Sequence, residues 1–271
     1  MRFVTLARFA AMLVGTIVVS GCATLSNGRE WGEDATIAPG WMRVRDVAVG
    51  ALESPRFWAP LAAAAVFQID GWDRKVSNWA RANTPVFGSE HSAYDWSDRL
   101  RSLSQYAYLA SALATPSGSD PERWLLDKVK GVAVGYAAAA ATDEESVLLQ
   151  DSADRKRPNG APTGSMPSLH TSSSAVFTEL AERNVDSLDL SKTLRRILDF
   201  GLDGLTYATA WARIEAGYHF PSDTLVGMSI GNFNGAFFND AFLGPRNAPP
   251  NLTFSFEPLP GGAALQLRYG L

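Results

Sequence analysis

Hydrophobic positions in the middle of the chain recur with helical spacing. One such helical face is formed by Leu194, Ile197, Leu198, Leu202 and Leu205. Alanine-rich runs at 61–66 and 132–141 are typical of closely packed helices, and both are too short to span a membrane. Alternating, strand-like patterns are scarce in the same region. The pattern therefore predicts an all-α helical bundle over residues 46–243.

The hydrophobic pattern changes near the C-terminus. The sequence GPRNAPPN is typical of a loop, and after it apolar residues alternate at Leu252, Phe254 and Phe256. A second alternating run follows the turn-forming sequence PLPGG. Period-two runs on both sides of a Pro-Gly turn indicate a β-hairpin. We therefore predict a Pro-rich linker and a short C-terminal β-hairpin over residues 244–271.

The N-terminal segment has the organisation of an export signal. Arg2 and Arg8 precede a short apolar run, and the segment ends in the small-residue sequence VSGC. This ending resembles a bacterial lipobox, which implies that Cys22 is lipidated and becomes the first mature residue. We predict a lipoprotein signal peptide at 1–21 and a tether at 22–45. An uncleaved N-terminal anchor helix is the alternative.

Composition and charge narrow the expected compartment and partners. The chain has 271 residues, of which 46% are hydrophobic and 19% charged, an ordinary globular balance. Cys22 is the only cysteine, which suits an oxidising, exported compartment. Removal of the signal peptide takes two arginines from the 24 basic residues and leaves 28 acidic ones, so the formal charge becomes 22 − 28 = −6. Such a surface disfavours nucleic acid as a partner.

Two short segments carry candidate phosphate-binding groups. Arg157 lies in ADRKRPNG, where Pro158 favours an extended backbone and separates Arg157 from its charged neighbours. In MPSLHTSSS, Ser168 is a predicted N-cap, and His170 falls in the first turn of a helix whose free N–H groups can bind an anion. Taken singly, a solvated charge run and an incidental histidine on a capped helix explain these segments as well.

A third segment, WARIEAGYHFPSD, groups three further candidates around Pro221. A proline ends one helix and suits the first turn of the next. We therefore place Arg213 late in one helix, His219 in the turn and Asp223 at the start of the following helix. There the Asp223 carboxylate is expected to orient the His219 imidazole. When this segment is considered without the other two, a surface ion pair at a helix start is the alternative explanation.

In this order the three segments resemble the signature of the type 2 phosphatidic acid phosphatase (PAP2) superfamily, K-x6-R-P, P-S-G-H and S-R-x5-H-x3-D. The resemblance implies a helical bundle core of the PAP2/haloperoxidase type. Three positions depart from the signature: Gln150 replaces the lysine, Leu169 the glycine and Ala212 the serine. Leu169 keeps the backbone N–H on which phosphate binding depends, whereas Gln150 exchanges a cation for a neutral donor.

The resemblance also implies roles for the matching residues. His219 would take the phosphoryl group, Asp223 would orient it, and His170 would protonate the departing alkoxide. Arg155 and Lys156 are candidates to replace the missing lysine, a choice that the sequence leaves open. Neither a metal nor another cofactor is implied. The phosphate oxygens would be held by Arg157, Arg213, Ser168, Leu169 and Gln150.

The resemblance implies metal-independent, acid-phosphatase-like hydrolysis of phosphomonoesters through a phosphohistidine intermediate, with lipid phosphates among the candidate substrates. The alternatives are a lipid phosphotransferase of the same superfamily, a vanadate-dependent haloperoxidase, against which the missing lysine argues, and a catalytically silent anion-binding envelope lipoprotein. The expected partners are a phosphate ester and the membrane that holds Cys22. Cys22 is followed by Ala23 and not by the aspartate that would suggest inner-membrane retention. By resemblance to lipoprotein sorting we therefore expect the outer membrane, with the domain facing the periplasm. His91 is expected on the surface, in a loop.

Overall fold

The computed structural model describes residues 24–25 and 28–244, and the backbone of two C-terminal strands. The predicted all-α character of the domain is confirmed for these residues. A short 3₁₀ turn at Ile69–Gly71 precedes α3, and a π-helical turn at Asn239–Leu243 follows α8. The helices are α1 (Trp41–Glu53), α2 (Pro55–Phe67), α3 (Trp72–Asn83), α4 (Glu90–Ala114), α5 (Pro121–Ala153), α6 (Leu169–Asp186), α7 (Lys192–Glu215) and α8 (Pro221–Phe238).

Helix α6 lies at the centre of the bundle and packs against α4, α5, α7 and α8. Its small side chains, in the run TSSSA, allow the neighbouring helices to approach closely. On α8, a Cβ at Gly227 would lie 2.6 Å from the Ser168 carbonyl oxygen, and one at Gly231 would lie 2.3 Å from that of Ser172. Only glycine fits at such distances. This contact brings the N-terminus of α8 beside the N-terminus of α6.

Local sequence explains where several helices begin. The Ser89 hydroxyl accepts a hydrogen bond from the Ser92 N–H at 3.1 Å, which caps α4. His91 therefore lies in the first turn of α4 rather than in a loop, with its side chain exposed. Pro221 is the first residue of α8, as predicted. Arg213 lies late in α7, and the turn between the two helices carries the next candidate histidine.

Part of the segment predicted as a tether is docked on the bundle. Trp31 is 7% exposed and fills a slot beside Gly131 of α5, where a Cβ would lie 2.2 Å from the indole. The Trp31 N–H donates to the Pro116 carbonyl at 2.7 Å, and the Ser117 hydroxyl donates to the Trp31 carbonyl at 2.9 Å. Burial of the indole stabilises this docking. The tether predicted for 22–45 therefore ends earlier in the chain, and α1 starts inside that range.

At the C-terminus the backbone forms two antiparallel strands, β1 (Leu252–Leu259) and β2 (Gly262–Tyr269). They cover the residues for which the sequence predicts the hairpin, with Leu252 opposite Tyr269. The predicted signal peptide, Cys22 and most of the Pro-rich linker lie outside the described residues. Among the helices of the described residues, none has the length and apolar character needed to cross a membrane.

Candidate active site

The three sequence motifs meet at the N-terminal end of α6. The Ser168 N–H donates to the Asp223 carbonyl at 2.9 Å, which joins the start of α6 to the start of α8. The Asn159 N–H donates to the Gly217 carbonyl at 2.9 Å, which joins the arginine-rich loop to the turn after α7. Backbone hydrogen bonds thus hold the candidate residues in one region, although they come from separate parts of the sequence.

Two arginines of this region lie against the ring of the same tyrosine. Arg213 is 3% exposed, and its Cζ lies 4.2 Å from the Tyr218 ring centroid, while the Arg157 Cζ lies 5.2 Å from it. Arg213 donates to the Ser97 hydroxyl at 3.3 Å and Arg157 to the Gly164 carbonyl at 3.1 Å. Neither forms an ion pair with a carboxylate of the described residues, and the Arg213 Nε is buried without a hydrogen-bond partner there. Burial and the nearby Arg157 charge lower the pKa of Arg213 to about 10. Paired, un-neutralised guanidiniums are suited to bind an anion.

The first turn of α6 adds backbone donors to these cations. Ser168 is the N-cap residue, as predicted, and the first helical hydrogen bond is donated by the Ser172 N–H to the Ser168 carbonyl at 2.9 Å. The N–H groups of Leu169, His170 and Thr171 therefore precede the helical hydrogen bonds. The Ser168 hydroxyl does not cap the helix and instead accepts from the Thr171 hydroxyl at 3.0 Å. This helix end favours negative charge.

His219 is buried in a single tautomer. Its Nδ1–H donates to the Ser165 carbonyl at 2.6 Å. Because a carbonyl oxygen can only accept, Nδ1 holds the proton of the neutral ring and Nε2 carries the lone pair. Burial and the positive charges of Arg213 and Arg157 lower the pKa of His219 well below its usual value. The ring is therefore neutral near neutral pH, in the state that a nucleophile requires.

Asp223 lies in the first turn of α8, but it reaches His219 only through another residue. Its Oδ2 accepts hydrogen bonds from the Ser165 hydroxyl at 2.6 Å and the Phe220 N–H at 2.7 Å, and its Oδ1 accepts from Arg155 at 2.5 Å. The sequence predicts a direct contact between the Asp223 carboxylate and the His219 imidazole, but in the structure Ser165 connects the two residues. The carboxylate caps its own helix, which turns it toward the backbone. Burial raises the pKa of Asp223 to about 6.

His170 is held by a carboxylate that the sequence analysis missed. Its Nε2–H donates to Asp98 Oδ1 of α4 at 2.7 Å, which leaves Nδ1 for a ligand. Burial, reinforced by the positive charge of Arg213, lowers the pKa of His170 to about 4, although the Asp98 hydrogen bond partly raises it. His170 is therefore mostly neutral in the ligand-free protein. A bound anion would raise the pKa again.

Of the two candidate substitutes for the lysine, Arg155 is paired with carboxylates of the protein. The Arg155 guanidinium donates to Asp223, to the Ser222 hydroxyl at 2.9 Å and to Asp73 at 2.8 Å, so it is neutralised by carboxylates. Lys156 is exposed. The positive charge of Arg155 is therefore balanced by carboxylates of the protein.

Gln150 supports the loop before α6. Its Nε2–H donates to the Pro167 carbonyl at 2.7 Å, directly before Ser168. The Gln150 side chain thus contacts the backbone of the anion site, and the amide nitrogen predicted to hold phosphate is engaged by that backbone.

Residues outside the three motifs complete the site. Asp73 of α3 accepts hydrogen bonds from Arg155 and from the Ser222 N–H at 2.9 Å. Tyr94 of α4 packs on Tyr218 with ring centroids 5.2 Å apart. Asp73 and Tyr94 come from distant helices, so no local pattern could have found them. Among the described residues, no group of three His, Cys, Asp or Glu side chains is arranged to hold a metal ion.

Residues 136–242 match the model of the PAP2 superfamily. The matched segment contains all three motifs. Among solved structures, the chain is similar to a crystal structure described as the first transmembrane PAP2-type phosphatidylglycerolphosphate phosphatase from Bacillus subtilis. The two are 17% identical, the match covers 68% of this chain and 92% of that chain, and the TM-score is 0.46. No curated protein matches the chain.

Proposed function

We propose that the protein hydrolyses phosphomonoesters through a phosphohistidine formed on His219. The observation that carries the proposal is the pair of arginines, Arg157 and Arg213, which share Tyr218 and form no ion pair with a described carboxylate. A buried cation without a counter-ion is costly, so this arrangement favours binding of an external anion. The PAP2 match over residues 136–242 supports a phosphate ester as that anion.

In the first step the Nε2 lone pair of His219 attacks phosphorus. A P–N bond forms while the P–O bond to the alcohol breaks. The Ser165 carbonyl, itself held through Asp223, keeps the proton on Nδ1 and stabilises the positive charge that develops on the ring. Arg157 and Arg213, with the N-terminus of α6, stabilise the phosphoryl oxygens in the transition state.

His170 moves the proton in both steps. It donates a proton to the departing alkoxide, and as a base it then takes one from the water that hydrolyses the phosphohistidine. Its free-protein pKa of about 4 would make it a poor acid near neutral pH. The negative charge of the bound ester raises that pKa, so substrate binding itself prepares the acid. The products are the alcohol, inorganic phosphate and neutral His219.

The test uses a radiolabelled phosphomonoester and the purified, chelator-treated protein. We expect turnover to survive the chelator and to be inhibited by vanadate, and an alkaline quench to trap label on the protein. His219→Ala should lose both label and turnover. His170→Ala should spare p-nitrophenyl phosphate, because a good leaving group needs little proton donation. His91→Ala is the matched control, since His91 is exposed on α4 outside the site.

Two results would contradict this mechanism. Turnover by His219→Ala at the parent rate would exclude a phosphohistidine on that residue, and chelator-sensitive turnover would require a metal. If the parent protein binds phosphate but turns over no phosphoester, the anion-binding envelope lipoprotein becomes the better assignment.

We further propose that lipid on Cys22 anchors the domain to the outer membrane, facing the periplasm. The charged, apolar and small-residue regions before Cys22, and Ala23 after it, support this location. Fractionation of cells that express Cys22→Ser tests it. The variant should leave the membrane fraction, and a variant that remains as firmly bound as the parent would exclude the lipid anchor.

A further inference from the structure

A groove lies between α4, α5 and α6, next to the candidate acid. Its volume is about 570 Å³. The α4 wall includes Asp98, Arg101 and Gln105, and the α5 wall includes Tyr136 and Asp143. In each wall the lining positions follow helical spacing, so each helix presents one stripe to the groove. The stripe from Asp98 to Gln105 extends for about 10 Å along α4.

The groove begins at Asp98, the carboxylate that holds the proposed acid His170. Asp98 both lines the groove and accepts the hydrogen bond from His170 Nε2 at 2.7 Å. Arg101 donates to the hydroxyl of Ser173, one helical turn after His170, at 3.0 Å. In an in-line displacement the alcohol departs on the side opposite the nucleophile, beside the acid. An alcohol portion that extends past His170 toward Asp98 would therefore enter the groove.

The lining of the groove combines polar side chains with the apolar Phe177, Ala139 and Ala140. Arg101 and Asp143 face each other across it, with an N–O distance of 3.6 Å, and Gln105 Nε2–H donates to the Tyr136 hydroxyl at 2.8 Å. Asp143 Oδ1 is buried and accepts no hydrogen bond from the described part of the chain. A hydrocarbon chain would cover these polar groups without replacing their hydrogen bonds to water, at a large cost. Hydroxyl groups, in contrast, can donate to Asp143 and accept from Arg101.

We propose that this groove binds the alcohol portion of the phosphoester, and that this alcohol is a polyol or a sugar. The inference rests on the proposed function, because it takes His170 as the acid. The volume lies within the range of small-molecule sites. Arg101, Gln105 and Asp143 then determine which alcohol is accepted, while the phosphate group is held at the N-terminus of α6.

The test compares three reactions of the same preparation. They are hydrolysis of a hexose phosphate, hydrolysis of octyl phosphate, and exchange of labelled oxygen between inorganic phosphate and water, which needs no alcohol subsite. The groove variants are Asp143→Asn, which weakens an acceptor, and Ala140→Trp, which fills the groove from α5. Glu144→Gln and Ala137→Trp are the matched controls, because both residues are exposed on α5 outside the groove lining.

We expect the parent to favour the hexose phosphate over octyl phosphate in kcat/KM. In Asp143→Asn and in Ala140→Trp this preference should fall by about tenfold or more, as expected for loss of a hydrogen bond to a charged group. The controls should keep the parent ratio. Retained phosphate exchange shows that each variant is folded with an intact phosphate site.

Different results separate this inference from the proposed function. If phosphate exchange persists while the parent prefers octyl phosphate, or while both groove variants keep the parent ratio, the groove assignment is wrong and the phosphatase assignment stands. If the parent catalyses neither exchange nor hydrolysis, both are wrong.

Discussion

The two ends of α6 hold arginines in opposite ways. At the C-terminal end, Arg183 contacts Glu179 at 2.7 Å and Asp240 at 2.5 Å, and Arg56 contacts Glu182 at 2.6 Å. Each guanidinium in this paired cluster of Arg56, Arg183, Glu179, Glu182 and Asp240 is neutralised by carboxylates of the protein. The cluster therefore joins α2, α6 and the turn after α8 without needing a ligand.

At the N-terminal end, Arg157 and Arg213 lie against Tyr218 and pair with no carboxylate of the described residues. Both ends of α6 therefore carry arginines, and the two ends differ in whether a carboxylate of the protein contacts them. Burial of a charge without a partner is unfavourable. The comparison teaches that arginines which form no ion pair with a carboxylate of the protein mark a candidate anion site.

Arg183→Met gives the largest expected effect on stability. The substitution removes one of the two arginines that contact Glu179, which keeps Arg56 at 2.8 Å, and the arginine that contacts the half-buried Asp240. Loss of these charge-assisted hydrogen bonds should destabilise the fold by about 1.5–3 kcal/mol. Urea unfolding measures the loss, and turnover by the folded fraction should stay at the parent level. A variant as stable as the parent would show that the paired cluster does not hold the helices together.

Arg213→Met should have the opposite profile. We expect kcat/KM to fall by about a hundred- to a thousandfold, because one preorganised donor to the phosphoryl oxygens is lost. Stability should be equal to or higher than that of the parent, since an unpaired buried charge is removed. Steady-state kinetics and urea unfolding on one preparation check both. Loss of stability comparable to that in Arg183→Met would remove the distinction between the two ends of α6.

Gln150→Lys sharpens the comparison by adding a cation to the unpaired end. A charge-assisted hydrogen bond contributes about 1.5–3 kcal/mol, so kcat/KM should rise by about ten- to a hundredfold if the ammonium reaches the phosphate. Gln150→Met is the matched control, because it removes the bond to the Pro167 carbonyl without adding charge. An unchanged kcat/KM in the lysine variant would show that Arg157 and Arg213 already supply the charge that the site requires.

Asp98→Asn should give the smallest effect, a shift in pH dependence. The Asp98 carboxylate raises the pKa of His170, so loss of its charge should lower that pKa further. His170 acts as an acid only when protonated, and kcat/KM for poor leaving groups therefore falls as the pH rises through its pKa. This fall should move to lower pH by less than about one unit, since Asp98 is partly exposed. A shift to higher pH would contradict the role of Asp98.

Sequence alone determined the features that depend on residues close together along the chain. Helical spacing predicted the bundle, Pro221 fixed the division between α7 and α8, and Ser168 marked the start of α6. The order of the three motifs resembles the PAP2 signature, and this resemblance predicted a phosphate site. These features were accessible because periodicity, proline geometry and capping act over only three or four residues.

Only the tertiary structure decided which partner each side chain uses. It placed Asp98 on His170, directed Asp223 to Ser165 instead of the imidazole, and docked Trp31 against α5. It also decided which arginines form ion pairs with carboxylates and which, among the described residues, form none. These partners lie far apart in the sequence and meet only because small residues let the helices pack closely around α6. No local pattern encodes such contacts, because they depend on how whole helices pack.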